Sequence, residues 1–291
     1  MSYKVATQLG QCVKIQSVAE QLYSSDFRLV YELLQNGDDA RYPEDVEPSI
    51  TFRLRPTEMM IESNEQGFSL HDVESICDTG KSSKSGSRST TGEKGLGFKS
   101  VFGIADHVHI QSGLWSFRFE HKKGEDGVGM ITPIWTTVNS SLPANTGTRL
   151  TLRYSKRGNR FYKRLVSEFE EIPATVIFAL RRIKRLTIVV NNSDGDTNQI
   201  IFTKEGTLSS EEMWINTLVT GRFGHHKSQK TWLKVFTKTV KYIPLDDQST
   251  ATASDITIAF EVDSEGVPVI PSRGHHIFAY LPIRRVTDLH V

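Results

Sequence analysis

Apolar residues follow two rhythms along this chain, and each predicts a different kind of element. Phe27, Val30, Leu33 and Leu34 recur at the spacing of one helix face, with Ser24, Ser25 or Asp26 able to cap the start and Arg41-Tyr42-Pro43 ending the run. Residues 1–25 read as an amphipathic lead-in, with Val13, Ile15, Val18, Leu22 and Tyr23 as core contacts. A short helix is expected around Leu70, Val73 and Ile76, with Ser69 as its cap. Residues 160–182 carry helical spacing through Phe161, Leu165, Phe169 and Ile172, with a break or kink at Pro173. Alternation predicts strands at 49–54, 59–61, 108–111, 115–120, 128–135, 146–152 and 187–190. From residue 196 onward the chain reads as mostly strand, at 199–203, 232–239, 255–262 and 276–281.

Polar positions break these rhythms in two places. On the first helix, Glu32, Asn36 and Asp39 stand at i, i+4 and i+7, which puts all three on one face of an otherwise apolar element. A buried polar group left without a partner costs about 1–3 kcal/mol, so that stripe must be answered by other side chains or by a ligand and its metal. The second break is the segment from Thr79 to Gly92, almost wholly Ser, Thr, Gly, Lys and Arg, which has too little apolar surface to pack and reads as a loop. It leads into Gly92-Glu93-Lys94-Gly95-Leu96-Gly97-Phe98-Lys99, a glycine-rich turn at the start of an apolar helix, where free backbone amides can cradle phosphate. Lys81, Lys84, Arg88, Lys94 and Lys99 face only Glu93 in this stretch, the local imbalance that a triphosphate requires.

Two other phosphate-binding patterns fail. Gly80-Lys81-Ser82 resembles the end of a P-loop, but Ser75 stands where that motif needs glycine. Gly92, Gly95 and Gly97 reverse the spacing of the dinucleotide fingerprint, and a loop precedes them instead of a strand. The adjacent pairs His225-His226 and His275-His276 point to opposite faces of a strand, which argues against metal ligation.

Composition narrows the classes further. With 291 residues and a net charge of +1, the chain can bury a large core and carries no global field that announces a nucleic acid. Arg181, Arg182, Lys184 and Arg185 are expected to complement a helix end or a solvated surface, because no aromatic residues are interleaved there for base stacking. Cys12 and Cys77 cannot build a disulfide framework, which suits a reducing compartment. The first residues lack the apolar core of a signal peptide, and no apolar run approaches membrane-spanning length. The expectation is a soluble intracellular protein, cytoplasmic or nuclear, with neither membrane nor nucleic acid as partner.

The order of the motifs is more specific than any one of them. Glu32-x-x-x-Asn36-x-x-Asp39-Ala40, a glycine turn at Gly67, a Ser/Lys-rich loop, Gly95-x-Gly97 and Gly147-Thr148 at a strand start together resemble the GHKL ATPases. This family includes gyrase B, the ninety-kilodalton heat-shock chaperones, sensor histidine kinases and MutL proteins. The resemblance spans roughly residues 15–190. Gln35-Asn36-Gly37-Asp38-Asp39, Asn64-Glu65-Gln66-Gly67-Phe68 and Ile76-Cys77-Asp78-Thr79-Gly80-Lys81-Ser82-Ser83-Lys84 are most similar to the sacsin and NO VEIN subgroup, as is Ile277-Phe278-Ala279-Tyr280-Leu281-Pro282.

That resemblance implies a fold and a site. The fold would be α+β, a two-layer α/β sandwich with a mixed, mainly antiparallel sheet covered by helices. It would occupy residues 1–192 and be followed at 193–291 by a strand-rich second α/β domain that is incomplete. Asn36 would coordinate Mg²⁺, its carbonyl oxygen suiting a hard cation, and Glu32 would accept a proton from the water attacking the terminal phosphate. Asp39 and Ala40 would help order the nucleotide pocket. Lys81, Ser82, Ser83 and Lys84 on the lid would meet the phosphates, as would Lys94, Gly95, Leu96, Gly97, Phe98 and Lys99. Ser63, Asn64, Gly67, Phe68 and Thr148 would hold the adenine end. Counting back from Gly67 puts Ser63 where most of the superfamily has an aspartate; Ser63 or Asn64 can still accept a hydrogen bond, without that charge. The implied activity is Mg²⁺-dependent ATP binding and slow hydrolysis coupled to lid and domain movement, chaperone-like, with a client or partner protein and dimerisation expected. The alternative is a regulatory or scaffold module that binds nucleotide without turnover. A histidine kinase would need a phosphoacceptor histidine ahead of the ATPase domain, and none precedes His71.

Overall fold

Leu29, Val30, Leu33 and Leu34 are buried on helix α1 (Arg28–Asp39), as their spacing demands. The computed structural model describes residues 28–77, 98–122, 124–137, 142–155, 158–192, 195–206, 212–221, 225–241, 253–269, 275–279 and 281–287. The expected lead-in at 1–25, the helix caps at 24–26 and the Ser/Lys-rich loop fall outside these residues.

After α1 come β1 (Ser49–Leu54) and β2 (Glu58–Ser63), then helix α2 (Leu70–Cys77) and a 3-10 helix at Phe98–Gly103. Strands β3 (Ala105–Ser112), β4 (Trp115–Glu120), β5 (Ile134–Trp135) and β6 (Thr148–Tyr154) precede helix α3 (Gly158–Glu170). Pro173 ends that run as expected, and a 3-10 helix, Ala174–Ala179, takes over. Strands β7 (Arg185–Asn191), β8 (Thr197–Glu205), β9 (Glu212–Thr220), β10 (His226–Lys241) and β11 (Ala253–Val262) follow, then a hairpin of β12 (His275–Ala279) and β13 (Leu281–Thr287).

The helix-covered two-layer sandwich is not what these elements build. Eleven strands form one continuous mixed sheet in the order β11-β10-β9-β8-β7-β1-β2-β6-β3-β4-β5. Its one parallel pair is β1 with β7. The physical reason lies at β7: its free edge hydrogen-bonds to β8 from Arg185↔Thr203 to Asn191↔Thr197, so the later strands extend the sheet instead of packing as a separate layer. Helices are few, and among the described residues of 193–291 there is none. The expected strand at 128–135 also gives way: Val128–Met130 is a 3-10 turn and only Ile134–Trp135 pairs with β4. Gly129 explains the turn, because a Cβ there would lie 2.0 Å from the Glu120 carbonyl oxygen. Among the described residues no helix is long and apolar enough to cross a membrane.

Alternation makes the two faces of the sheet different. One face, under α1 and α3, carries apolar rows that run across the strands. Phe52, Ile61, Leu150, Ile110 and Phe117 form one such row, and Leu54, Met59, Leu152, Val108 and Phe119 the next. Phe169 of α3 sits 5.4 Å from Phe52, and Phe161 lies 5.5 Å from Tyr154. Full burial of each such side chain contributes about 1.5–3 kcal/mol. The opposite face of the same strands is polar. There the Glu62 carboxylate bridges Arg53, at 2.9 Å, and Arg149, at 2.7 Å. Burial alone would raise the Glu62 pKa, but the two guanidinium groups outweigh it and hold the carboxyl below its usual range.

Candidate functional site

One row on the helix side of the sheet departs from the apolar pattern. Register aligns Ile50 of β1 with Ser63 of β2, Thr148 of β6, Ser112 of β3 and Trp115 of β4. Cross-strand neighbours share a face, so three hydroxyls and an indole lie side by side where the next two rows are all apolar. Gly37 of α1 sits over the first position: a Cβ there would come within 2.9 Å of Ile50 Cδ1. Glycine therefore lets the last turn of α1 approach the sheet at the head of this row.

Three chain turns converge at the end of the row, and their backbones lock together. Ser112 and Thr148, both buried, share a hydrogen bond of 2.5 Å between their hydroxyls, and the Phe68 N–H donates to Ser112 Oγ at 2.7 Å. Trp115 Nε1–H donates to the Phe68 carbonyl at 3.0 Å. The Gly147 N–H donates to the Ser63 carbonyl, and the Gly113 N–H to the Gly147 carbonyl. Two glycines permit this closeness. Gly67 has φ +89°, and a Cβ on Gly147 would lie 1.7 Å from the Glu65 carbonyl oxygen. Gly67 and Gly147 are thus explained by geometry, and Ser63, Gly67, Phe68 and Thr148 are brought together. Ser112 and Trp115 were missed. The signal was present, since Ser112 falls where the alternation through Val108 and Ile110 calls for an apolar residue.

The other expected residues separate into groups. Glu32 and Asn36 lie on α1, half-buried and each with an interacting neighbour. Asn64 is committed elsewhere: its Oδ1 accepts the Ser49 N–H at 2.8 Å and its Nδ2 donates to the Glu47 carbonyl at 2.8 Å. The Asp39 side chain, only 2% exposed, accepts from Arg181 at 3.1 Å. Arg182 donates to the Asp39 and Ala40 carbonyls, closing the C-terminal end of α1, so the basic run at 181–185 does complement a helix end. Phe98 packs 6.3 Å from Phe119. Lys99, 2% exposed, donates to the Ile76 carbonyl at 2.5 Å and the Met130 carbonyl at 2.6 Å, beneath the Phe119 ring. Residues Lys81, Ser82, Ser83, Lys84, Lys94, Gly95, Leu96 and Gly97 lie outside the described residues.

Asp38, which the sequence reading passed over for its neighbour, is the buried anchor. Its carboxylate accepts the N–H groups of Arg181 and Arg182 at 2.7 Å and of Ile183 at 2.9 Å. Nearby, the buried Lys204 on β8 donates to the Leu180 carbonyl. Burial pushes the Lys204 pKa down to about 8; Asp38 opposes that shift and Lys184 adds to it. Helix α1 is thereby tied to the 180–183 turn and to β8. Among the described residues no group of His, Cys, Asp and Glu is arranged to hold a metal ion.

The family model for the sacsin domain matches residues 56–200, which contain β2, the converging turns, Thr148 and β7. The chain carries a sacsin-like domain. Two relatives agree with that. Protein NO VEIN of Arabidopsis thaliana is 41% identical over 133 residues, 46% of this chain and 5% of that protein's length. Sacsin of Homo sapiens is 32% identical over 129 residues, 38% of this chain and 3% of its own. The chain thus spans only a small part of either relative's length.

Proposed function

We propose that the sacsin-like domain binds ATP with Mg²⁺ between α1 and the Ser63–Thr148–Ser112 row, and hydrolyses it slowly. The observation that carries this reading is the polar row itself, which lies next to two wholly apolar rows and begins at Ile50 under Gly37 of the helix that bears Glu32 and Asn36. The row gives this face a polar edge whose hydroxyls already bond one another and the Phe68 N–H, and whose turns are closed by Gly67 and Gly147. The motif resemblance to the GHKL ATPases supports the same reading.

Within it, Thr148 and Ser112 present a neutral, hydrogen-bonded edge to the base, and Ser63 offers the half-buried hydroxyl beside them. Asn36 has the oxygen type that holds Mg²⁺, and Glu32, one helical turn earlier, is the acceptor for the proton of the attacking water. The Asn64 amide, bonded to Ser49 and Glu47, shapes the turn, and the base is assigned to the hydroxyls. Catalysis on this scheme is positioning with electrostatic stabilisation of an in-line transfer to water. A client or partner protein and a dimer belong to the same proposal and rest on the resemblance alone.

The test is calorimetric titration with Mg-ATP and Mg-GTP alongside phosphate release, on the starting protein, Glu32→Ala and Thr148→Val. Binding of ATP, lost turnover with retained binding in Glu32→Ala, and weakened ATP affinity in Thr148→Val are the expected results. Binding without turnover in the starting protein would identify a nucleotide-binding module instead of an ATPase. No binding of either nucleotide at millimolar concentration would overturn the proposal.

A further inference from the structure

At the β11 end of the sheet, the face opposite α1 and α3 carries a different kind of surface. Strand β10 places Leu233 and Val235 in the core, at 2% and 5% exposure, so its even-numbered positions face outward. That outward series reads Lys230, Trp232, Lys234, Phe236, Lys238 along the middle of the strand, cation and ring in alternation. Its neighbours reinforce it. Trp214 of β9 lies directly opposite Trp232, with ring centroids 5.2 Å apart, and Lys230 Nζ stands over both rings at 4.3 and 3.7 Å. Phe260 of β11 lies opposite Lys234 and 6.2 Å from Phe236. Phe236 is 55% exposed, opposite Ile258 of β11 and just past the last β9 pairing at Lys234.

We infer that this face binds single-stranded nucleic acid, the bases stacking on the Trp214/Trp232 and Phe236/Phe260 pairs and the phosphates meeting Lys230, Lys234 and Lys238. The charge pattern selects this occupant. A protein helix docking on a sheet face buries the centre of its patch, and here the lysines stand between the rings, not around them. An apolar helix would offer those cations no counter-charge. A nucleotide chain brings both anions and rings, the two kinds of group that this face receives: along β10 a ring recurs every four residues, about 13 Å, with a cation midway. Two groups must give way. Lys230 would leave the indole faces for phosphate as bases replace it, and Lys234 would exchange its 3.7 Å contact with the exposed Glu212 carboxylate for phosphate. The site is independent of the nucleotide proposal, lying on the opposite face of the sheet.

Fluorescence anisotropy with labelled dT12 and U12 tests it on the full chain, with a 12-base-pair duplex and polyglutamate as competitors, from 50 to 300 mM salt. Single strands should bind at micromolar concentration, quench tryptophan fluorescence and weaken with salt at a log–log slope of about −2, as roughly three phosphate contacts predict. The triple variant Lys230→Ser, Lys234→Ser, Lys238→Ser should flatten that slope. Phe236→Ala, at an exposed position, should weaken binding about fivefold or more while leaving the slope in place. No binding at 50 mM salt would overturn the inference. So would equal affinity for the duplex, tighter binding of polyglutamate, or no effect of either variant in protein whose melting point is unchanged.

Discussion

Replacing Asp38 with alanine should damage this protein more than any change on the expected ligand stripe. Its carboxylate, 6% exposed, is the acceptor for three successive backbone donors, at 2.7, 2.7 and 2.9 Å. The Ile183 N–H is buried and would lose its partner outright, while those of Arg181 and Arg182 are part-buried and can recover some hydrogen bonding from water. At about 1–3 kcal/mol for a stranded buried donor and less for each of the others, the sum is about 3–5 kcal/mol. Thermal unfolding should register this as a drop of roughly 6–20 °C, at 2–4 °C per kcal/mol for a domain of this size. Asp38→Asn keeps one acceptor oxygen and should fall about midway. Asp39→Ala removes a buried carboxylate, but its Arg181 partner is partly exposed and can be solvated, so it should cost less than Asp38→Ala. Denaturant and heat melts of the three variants are the assay. An Asp38→Ala loss under about 1 kcal/mol, or a larger loss in Asp39→Ala, would refute the anchoring argument.

Three further changes have definite expected outcomes. Gly147→Ala forces a Cβ to within 1.7 Å of the Glu65 backbone, so it should lower stability by about 1–3 kcal/mol and weaken ATP affinity together, read by melting and titration on the same sample. Lys99→Met strands the Ile76 and Met130 carbonyls; it should lower the melting point, whereas a phosphate-binding lysine would lower only nucleotide affinity. Lys204 has its folded pKa depressed to about 8, against an unfolded value of 10.5, so the unfolded chain binds more protons between those limits. Stability therefore rises with pH from about 8 towards 10, and Lys204→Met should flatten that rise in denaturant melts across the window.

Legibility followed the range of the forces involved. Strands β1 and β4 were read at their observed limits because each alternates over six residues without a glycine, and the body of α1 because its apolar spacing is unbroken from Val30 to Leu34. What escaped depends on pairings distant in sequence. Nothing local separates Asp38 from Asp39; the choice is made by amides at 181–183, brought there by β7 pairing in parallel with β1. Lys99 looked like a phosphate ligand because glycine and lysine surround it, yet carbonyls from residues 76 and 130 claim its ammonium. The single sheet was hidden for the same reason: alternation predicts a strand at 199–203 but not that the β7 edge is left open for it. The cation–ring series on β10 was readable by parity alone, once the strand was known to run over sixteen residues.

The central claim is the nucleotide site, and thermal unfolding with ATP, with and without Mg²⁺, on the starting protein and Asn36→Ala tests it most directly. Saturation at a hundredfold excess over the dissociation constant stabilises the folded state by about 2.7 kcal/mol. At 2–4 °C per kcal/mol the melting point should rise by roughly 5–11 °C. The account predicts that rise with Mg-ATP in the starting protein and its loss in Asn36→Ala. An unchanged melting point with Mg-ATP, or an equal rise in both proteins, would contradict it.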